Sequence, residues 1–368
     1  MEYSMKNALK DLVPSLLEWY DKHARILPWR EQPAPYRVWV SEIMLQQTRV
    51  EAVKPYYERF MAALPDIKSL SEVEDDRLLK LWEGLGYYNR ARNLKKAAAV
   101  IMEQYGGEMP ASYEQLLALP GIGSYTAGAI ASIAFGLPYP AVDGNVLRVI
   151  ARVCCYAKDV LSLSAKREME QQISEVMPKE RAGAFNQALM ELGATVCVPN
   201  GAPHCAECPW ESRCRAHESG EELSYPVKKP KKKRTIEEYT ILILQDEDQT
   251  AIRKRPDKGL LAGMYEFPWV EGIRTKEEVI RIVKEMGYAP VYVRELERGR
   301  HIFTHKEWYM AGFAVRVDEL APKPDSGDAH LLFARAGETE EKYPMPAAFC
   351  VYTKYLNIRL GSERFSEP

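Results

Sequence analysis

Through the first 222 residues apolar positions recur three and four apart, whereas beyond about residue 236 they alternate every second position. The first spacing lines up one face of a helix and the second one face of a strand. Helical spacing is clearest over 36–61, 76–105, 125–135 and 184–196, with Pro and Gly between the stretches. Residues 1–23 also read as an amphipathic helix, because acids and lysines interrupt every apolar run. Ser112 followed by Gln115 predicts a capping box that opens a short helix ending at Leu119-Pro120. Later, 239–244 and 308–317 read as strands and 276–286 as a helix. The expected chain is multidomain: an all-α domain over 1–222, a basic linker over 223–235 and an α+β domain over 236–368.

Composition narrows the setting more than the function. No apolar run is long enough to span a bilayer, and the start lacks the apolar core of a signal peptide, so a cytoplasmic protein without a membrane partner is expected. Net charge is −2, and both halves of the chain are close to balance, so bulk charge does not point to a polyanion. The run from Lys228 to Arg234 is basic except for Pro230. It reads first as a solvated linker and second as a strap along phosphates.

The cysteines change the picture. Cys197, Cys205, Cys208 and Cys214 fall within one short loop. Clustered cysteines in a cytoplasmic chain more often hold metal than form disulfides. Structural zinc usually shows two short-spaced pairs, and only Cys205 and Cys208 form one here. Uneven spacing suits a cubane iron–sulfur cluster better, with zinc as the lesser reading. Cys154, Cys155 and Cys350 stand apart and are expected in the core.

A second constellation is the turn Leu119-Pro120-Gly121-Ile122-Gly123 followed by Ser124-Tyr125-Thr126-Ala127. A two-glycine turn opening a helix can aim bare backbone N–H groups at an anion. Downstream lies Val142-Asp143-Gly144-Asn145-Val146-Leu147-Arg148, where Asp143 would ordinarily cap a helix.

These motifs resemble the helix-hairpin-helix glycosylases of the endonuclease III superfamily, and within it the adenine DNA glycosylase (MutY) family. Leu27-Pro28-Trp29-Arg30, the stretch from Trp39 to Thr48 and Trp82-Glu83-Gly84-Leu85-Gly86-Tyr87-Tyr88 carry the closest likeness. One departure is the interval between Cys197 and Cys205, a residue longer than the family's. The resemblance implies a [4Fe–4S] cluster on the four clustered cysteines, a general acid at Glu42 and an anion at Asp143, with Tyr125 and Asn145 beside them. The chemistry is consistent with that implication. A departing base needs a proton and the sugar cation left behind needs a negative neighbour, as in two-carboxylate glycosidases. Glu42 sits among Trp39, Val40, Ile43, Met44 and Leu45, where desolvation would hold its proton. Tyr125 stands where bifunctional relatives carry the lysine that forms a Schiff base, which implies hydrolysis without strand cleavage.

The resemblance further implies that Arg25, Leu27, Trp29, Arg30 and Gln187 border an adenine pocket. It places Gln47, Thr48, Leu85 and Tyr87 in the gap left by the extruded base, and Gly121 and Gly123 on the DNA backbone. Trp82 reads as core. Residues 259–268 look like the start of a Nudix domain, but the helix after them lacks the carboxylate cluster that binds metal and pyrophosphate. A Nudix-like reader of 8-oxoguanine is therefore expected, with Phe303, Thr304 and His305 at its tip. The resulting expectation is a monomeric base-excision enzyme that removes adenine opposite 8-oxoguanine or guanine in duplex DNA. The alternatives are an endonuclease III-like lyase on oxidised pyrimidines and a catalytically inactive binder of damaged DNA.

Overall fold

A computed structural model describes residues 5–230, 233–321 and 331–365. Part of the expected basic strap, Lys231 and Lys232, lies outside the described residues, as does the extreme N-terminus of the first expected helix. The chain folds into two compact units. The first runs to Glu72 and resumes at Asn93; the second combines Val73–Arg92 with the chain beyond the linker.

The first unit is helical. Its best-buried core joins helices Met5–His23, Gly144–Cys154, Leu163–Val176 and Ala182–Thr195 through Leu16, Ile150, Met169 and Leu189. Trp210, from the cysteine-rich loop, enters this core and donates from Nε1 to the Leu12 carbonyl. Helices Ser124–Phe135 and Ala182–Thr195 occur close to where periodicity places them. The stretch 36–61 does not continue as one helix: it divides into Pro35–Leu45 and Val50–Ala63. Gln47 adopts φ +59 between them, a left-handed conformation that no helix can continue through. Ser112 caps Tyr113–Ala118 by accepting from the Gln115 N–H, while its hydroxyl donates to Glu114.

The second unit is a mixed sheet with a flanking helix. Its strands are β1 (Thr235–Asp246), β2 (Gln249–Lys254), β3 (Tyr265–Glu266), β4 (Trp269–Glu271), β5 (Pro290–Glu295), β6 (Gly299–Ile302), β7 (Lys306–Val317) and β8 (Leu331–Arg335). The long β1 and β7 pair in parallel, and their alternating side chains feed two cores on opposite faces. Helix Lys276–Glu285 covers one face through Val279 and Val283, and Thr275 with Glu278 closes its capping box. The stretch 76–105 is also two helices, Asp75–Trp82 and Asn89–Tyr105. Gly84, Gly86 and Tyr87 take positive φ between them, and the two glycines are the residues that bear such a turn without a Cβ clash.

Polar anchors hold the part of this stretch up to Arg92 within the second unit. Lys80 and Glu83 form a buried ion pair; Lys80 also donates to the carbonyls of Thr339 and Tyr343. Glu83 accepts from the backbone N–H groups of Met345 and Gly361. Asp76 accepts from Tyr265 and Lys254. Trp82 is fully buried, as expected, and Cys154 is buried; Cys155 is only half-buried and Cys350 is exposed. Cys350 therefore corrects the expectation of a core position, because it opens a short helix whose packed positions are Tyr352 and Thr353.

Candidate functional site

Helix Pro35–Leu45 presents Glu42 from its buried face, where the residue is 6% exposed. Helix Ser124–Phe135 brings Tyr125, the residue after its first, to the same place, and the Tyr125 hydroxyl donates to Glu42 Oε2 at 2.5 Å. Asp143 caps helix Gly144–Cys154. Its Oδ1 accepts from the backbone N–H groups of Asn145 and Val146, and its Oδ2 accepts from Asn145 Nδ2 at 2.7 Å. The ordinary capping role and a position on the cavity coincide in this one side chain.

These groups line a cavity of about 140 Å3. Arg25, Leu27, Trp29, Arg30, Thr48, Asn145 and Gln187 complete its wall, together with Ser41, Met190 and Glu191. All residues expected to act on or border the base therefore meet at one space. Burial pushes the Glu42 carboxyl up to about 7, and the nearby Asp143 charge adds to the rise; Tyr125 and Arg30 oppose it. Burial also raises Asp143, against its three N–H donors and Arg148. Burial and the Glu42 charge lift the Tyr125 phenol, which stays protonated.

Glu191 was not foreseen. It is 1% exposed on helix Ala182–Thr195 and binds both pocket arginines: Arg25 Nε at 2.5 Å and Arg30 through one terminal nitrogen at 2.7 Å. Burial favours its neutral form, but the two arginines outweigh burial and lower its pKa. An acid between Met190 and Leu192 in a helix gives no sequence sign of burial beyond those apolar neighbours.

The four clustered cysteines line a second, smaller cavity with Arg152, Trp210, His217 and Glu222. Burial, followed by the Glu222 charge, pushes Cys205 up to about 11; burial pushes Cys208 up to about 12 and also raises Cys214. Arg152 donates to Cys197 Sγ at 3.3 Å. Ligand-capable atoms of Cys205, His217 and Glu222 also lie within 4.8 Å of one another, though His217 Nδ1 and Glu222 already pair at 2.6 Å.

A polar chain links the two cavities. Asn145, bonded to Asp143, accepts from Arg148 at 2.9 Å, and Arg148 Nε donates to the Cys197 carbonyl at 2.8 Å. Arg148 also donates to the Gly193 carbonyl. A Cβ on Gly193 would meet that of Asn145 at 2.6 Å, so the close helix approach that allows this bond requires glycine.

The remaining expected residues fall into two groups. In the first unit, Gln47 is exposed and Thr48 half-buried, while Gly121 (φ +77) and Gly123 are exposed in the turn before helix Ser124–Phe135. In the second, Phe303, Thr304 and His305 form the tip between antiparallel β6 and β7. Tyr87 is exposed, its hydroxyl 3.0 Å from Thr304 Oγ1, whereas Leu85 is buried. No helix among the described residues is long and apolar enough to cross a membrane.

Residues 40–179 match the HhH-GPD superfamily of base excision DNA repair proteins, and residues 239–353 match the NUDIX domain. The adenine DNA glycosylase of Homo sapiens is 36% identical over 84% of this chain and 67% of its own length. That of Buchnera aphidicola subsp. Baizongia pistaciae is 36% identical over 74% of this chain and 81% of its own. Among solved structures, a thermostable thymine-DNA glycosylase is similar at TM-score 0.51 and 28% identity, covering 58% of this chain and 98% of that one.

Proposed function

The chain belongs to the adenine DNA glycosylase family, and from that premise we propose that it hydrolyses the N-glycosidic bond of adenine paired with 8-oxoguanine or guanine in duplex DNA, leaving the strand intact. The observation that carries the reading is the pair of carboxylates on one cavity, one buried and held near neutrality, the other fixed by three N–H donors. Adenine reaches such a cavity only by leaving the base stack. Glu42, with a pKa of about 7, is substantially protonated at neutral pH and supplies the proton that the departing base needs. Asp143 faces the positive charge that develops on the sugar, and Asn145 keeps its oxygens oriented. Trp29 and Leu27 give the base an apolar wall, with Gln187, Arg25 and Arg30 as its polar edge.

A phenol at position 125 has no amine with which to form an imine, which favours simple hydrolysis over lyase chemistry. Gly121 and Gly123 offer backbone N–H groups to phosphate, and Gln47 and Thr48 enter the gap left by the flipped base; Leu85 and Tyr87, in the second unit, contact the DNA. Phe303, Thr304 and His305 read the oxidised partner, with no metal-dependent Nudix hydrolysis.

The small cavity fits a [4Fe–4S] cluster, because four cysteines line it and Arg152 donates to Cys197 Sγ, a donor set and a balancing charge that suit such a group. Cys197, Cys205, Cys208 and Cys214 would hold it, and when bound it ties the loop covalently beneath helix Gly144–Cys154.

The test is a duplex with adenine opposite 8-oxoguanine, assayed for free adenine and for strand breaks before and after alkali. Free adenine with breaks only after alkali is the expected result. A covalent adduct trapped by borohydride would support the lyase alternative, and binding without base release the inactive one.

A further inference from the structure

The cavity holds more charge than the reaction uses. Arg25 and Arg30 reach it from the loop and short helix before Glu31, and both end on the same carboxylate. Glu191 accepts from Arg25 through the backbone N–H and two guanidinium nitrogens, at 3.2, 2.5 and 3.1 Å, and from Arg30 at 2.7 Å. Arg30 is further tied by donation to the Arg25 carbonyl at 3.1 Å. A carboxylate so deeply buried is costly unless its partners are fixed, and here the fixing works both ways.

We propose that Glu191 is a positioning residue for excision: it pins both pocket arginines and offsets part of the charge that Arg30 brings to bear on Glu42. The inference rests on the general-acid role of Glu42. The charged and titratable groups around Glu42 are Tyr125 from helix Ser124–Phe135, Asp143 at the cap of helix Gly144–Cys154, and Arg30 from Pro28–Glu31; Arg25 and Glu191 complete the set on the shared cavity. Remove Glu191, and the charge of Arg30 acts unbalanced on Glu42, one of the two carboxylates, with Asp143, left on the cavity. An ionised Glu42 cannot deliver a proton. Glu191 thereby protects the acid by occupying the arginines.

The experiment is single-turnover excision by the full chain against pH, on a duplex with adenine opposite 8-oxoguanine, for wild type, Glu191→Gln and Arg30→Met/Glu191→Gln. Wild type should lose activity as Glu42 deprotonates. In Glu191→Gln the midpoint of that loss should fall by about one pH unit, the scale of an uncompensated neighbouring charge. Removing Arg30 as well should return the midpoint to the wild-type value or above it. A residue that merely supports the fold would lower the rate at every pH and leave the midpoint in place, and that result overturns the inference. Should Glu191→Gln not accumulate as folded protein, Glu191→Asp withdraws the carboxylate by one methylene. Titration of the 13C-labelled Glu42 carboxyl then reads the same downward movement without substrate, and an unmoved midpoint again overturns it. A wild-type profile with no alkaline loss sinks the general-acid reading and this inference together; a wild-type loss with unmoved variants sinks the inference alone.

Discussion

The Tyr125 hydroxyl and the Glu42 carboxylate lie 2.5 Å apart, joining the helix that follows the two-glycine turn to the helix that carries the acid. That bond favours the ionised form of Glu42 and works against the burial that raises its pKa. The acid is thus poised between opposing influences. Tyr125→Phe removes the donor and leaves the burial, so the pH at which excision is lost should move upward. Single-turnover rates between pH 6 and 9 would show it; an unchanged midpoint would mean that the hydroxyl has no hold on the proton.

Glu42 itself should trade stability for activity. Its folded pKa of about 7 lies above the ordinary carboxylate value of 4.5, so the folded protein binds a proton that the unfolded chain has released between those values. Its contribution to stability is full below about pH 4.5 and is lost as pH rises through about 7. The loss is on the order of 3 kcal/mol by linkage. Glu42→Gln should therefore gain thermal stability over wild type at pH 8 more than at pH 5, while excision drops by about 10²–10⁴-fold. Melting curves at the two pH values check the first claim and single-turnover rates the second.

Asp143 combines a cap with a charge, and substitutions separate the two. Asparagine is as good an N-cap as aspartate, so Asp143→Asn should keep the melting temperature close to wild type while excision falls by orders of magnitude. Asp143→Ala should lose excision and about 1 kcal/mol of stability as well. If Asp143→Asn still excises within tenfold of wild type, the negative charge is not what the reaction draws on.

Much of the site was legible because its signals are local. Glu42 lies in an apolar run, Asp143 precedes a glycine and an apolar helix, and the four cysteines are close in sequence. What escaped was non-local. Apolar residues resume at Val50 and Tyr88 on the far side of Gln46–Arg49 and Glu83–Tyr87, so periodicity alone joins helices that the left-handed residues Gln47 and Tyr87 separate. Glu191 resembles any helical acid until Arg25 and Arg30, more than 160 positions away, are seen to converge on it. Likewise Lys80 and Glu83 find partners at Thr339, Met345 and Gly361, which no local pattern announces. Segment Val73–Arg92 therefore packs with the second unit, although the sequence reading groups it with the helical domain.

The cysteine cavity predicts a coloured protein. Anaerobically purified chain should be brown, with about four irons per molecule and broad visible absorbance. Cys208→Ser should lose both the colour and thermal stability, since Trp210 enters the core of the first unit from the same loop. Zinc at one per chain without iron would select the lesser reading of the spacing.

Partner discrimination should depend on Tyr87 and Thr304 as a pair. Their hydroxyls are 3.0 Å apart, Tyr87 from the turn held by Lys80 and Glu83, Thr304 from the tip between β6 and β7. Deleting the chain from residue 233 onward would not isolate the reader, because it would strip Lys80 and Glu83 of their buried partners and release the turn that carries Leu85 and Tyr87. Point substitutions are the cleaner test. Thr304→Ala removes a contact of about 0.5–1.5 kcal/mol, which corresponds to a loss of roughly two- to twelvefold in the preference for 8-oxoguanine over guanine. Tyr87→Phe removes the other half of the same contact. If the two act as one unit, the double variant should lose no more than the larger single loss, and the cycle should close with a coupling of similar size. Excision rates on duplexes with adenine opposite 8-oxoguanine and opposite guanine supply all four corners. Additive losses would mean that each hydroxyl meets the DNA by itself, and an unchanged preference in both variants would move discrimination to Gln47 and Thr48.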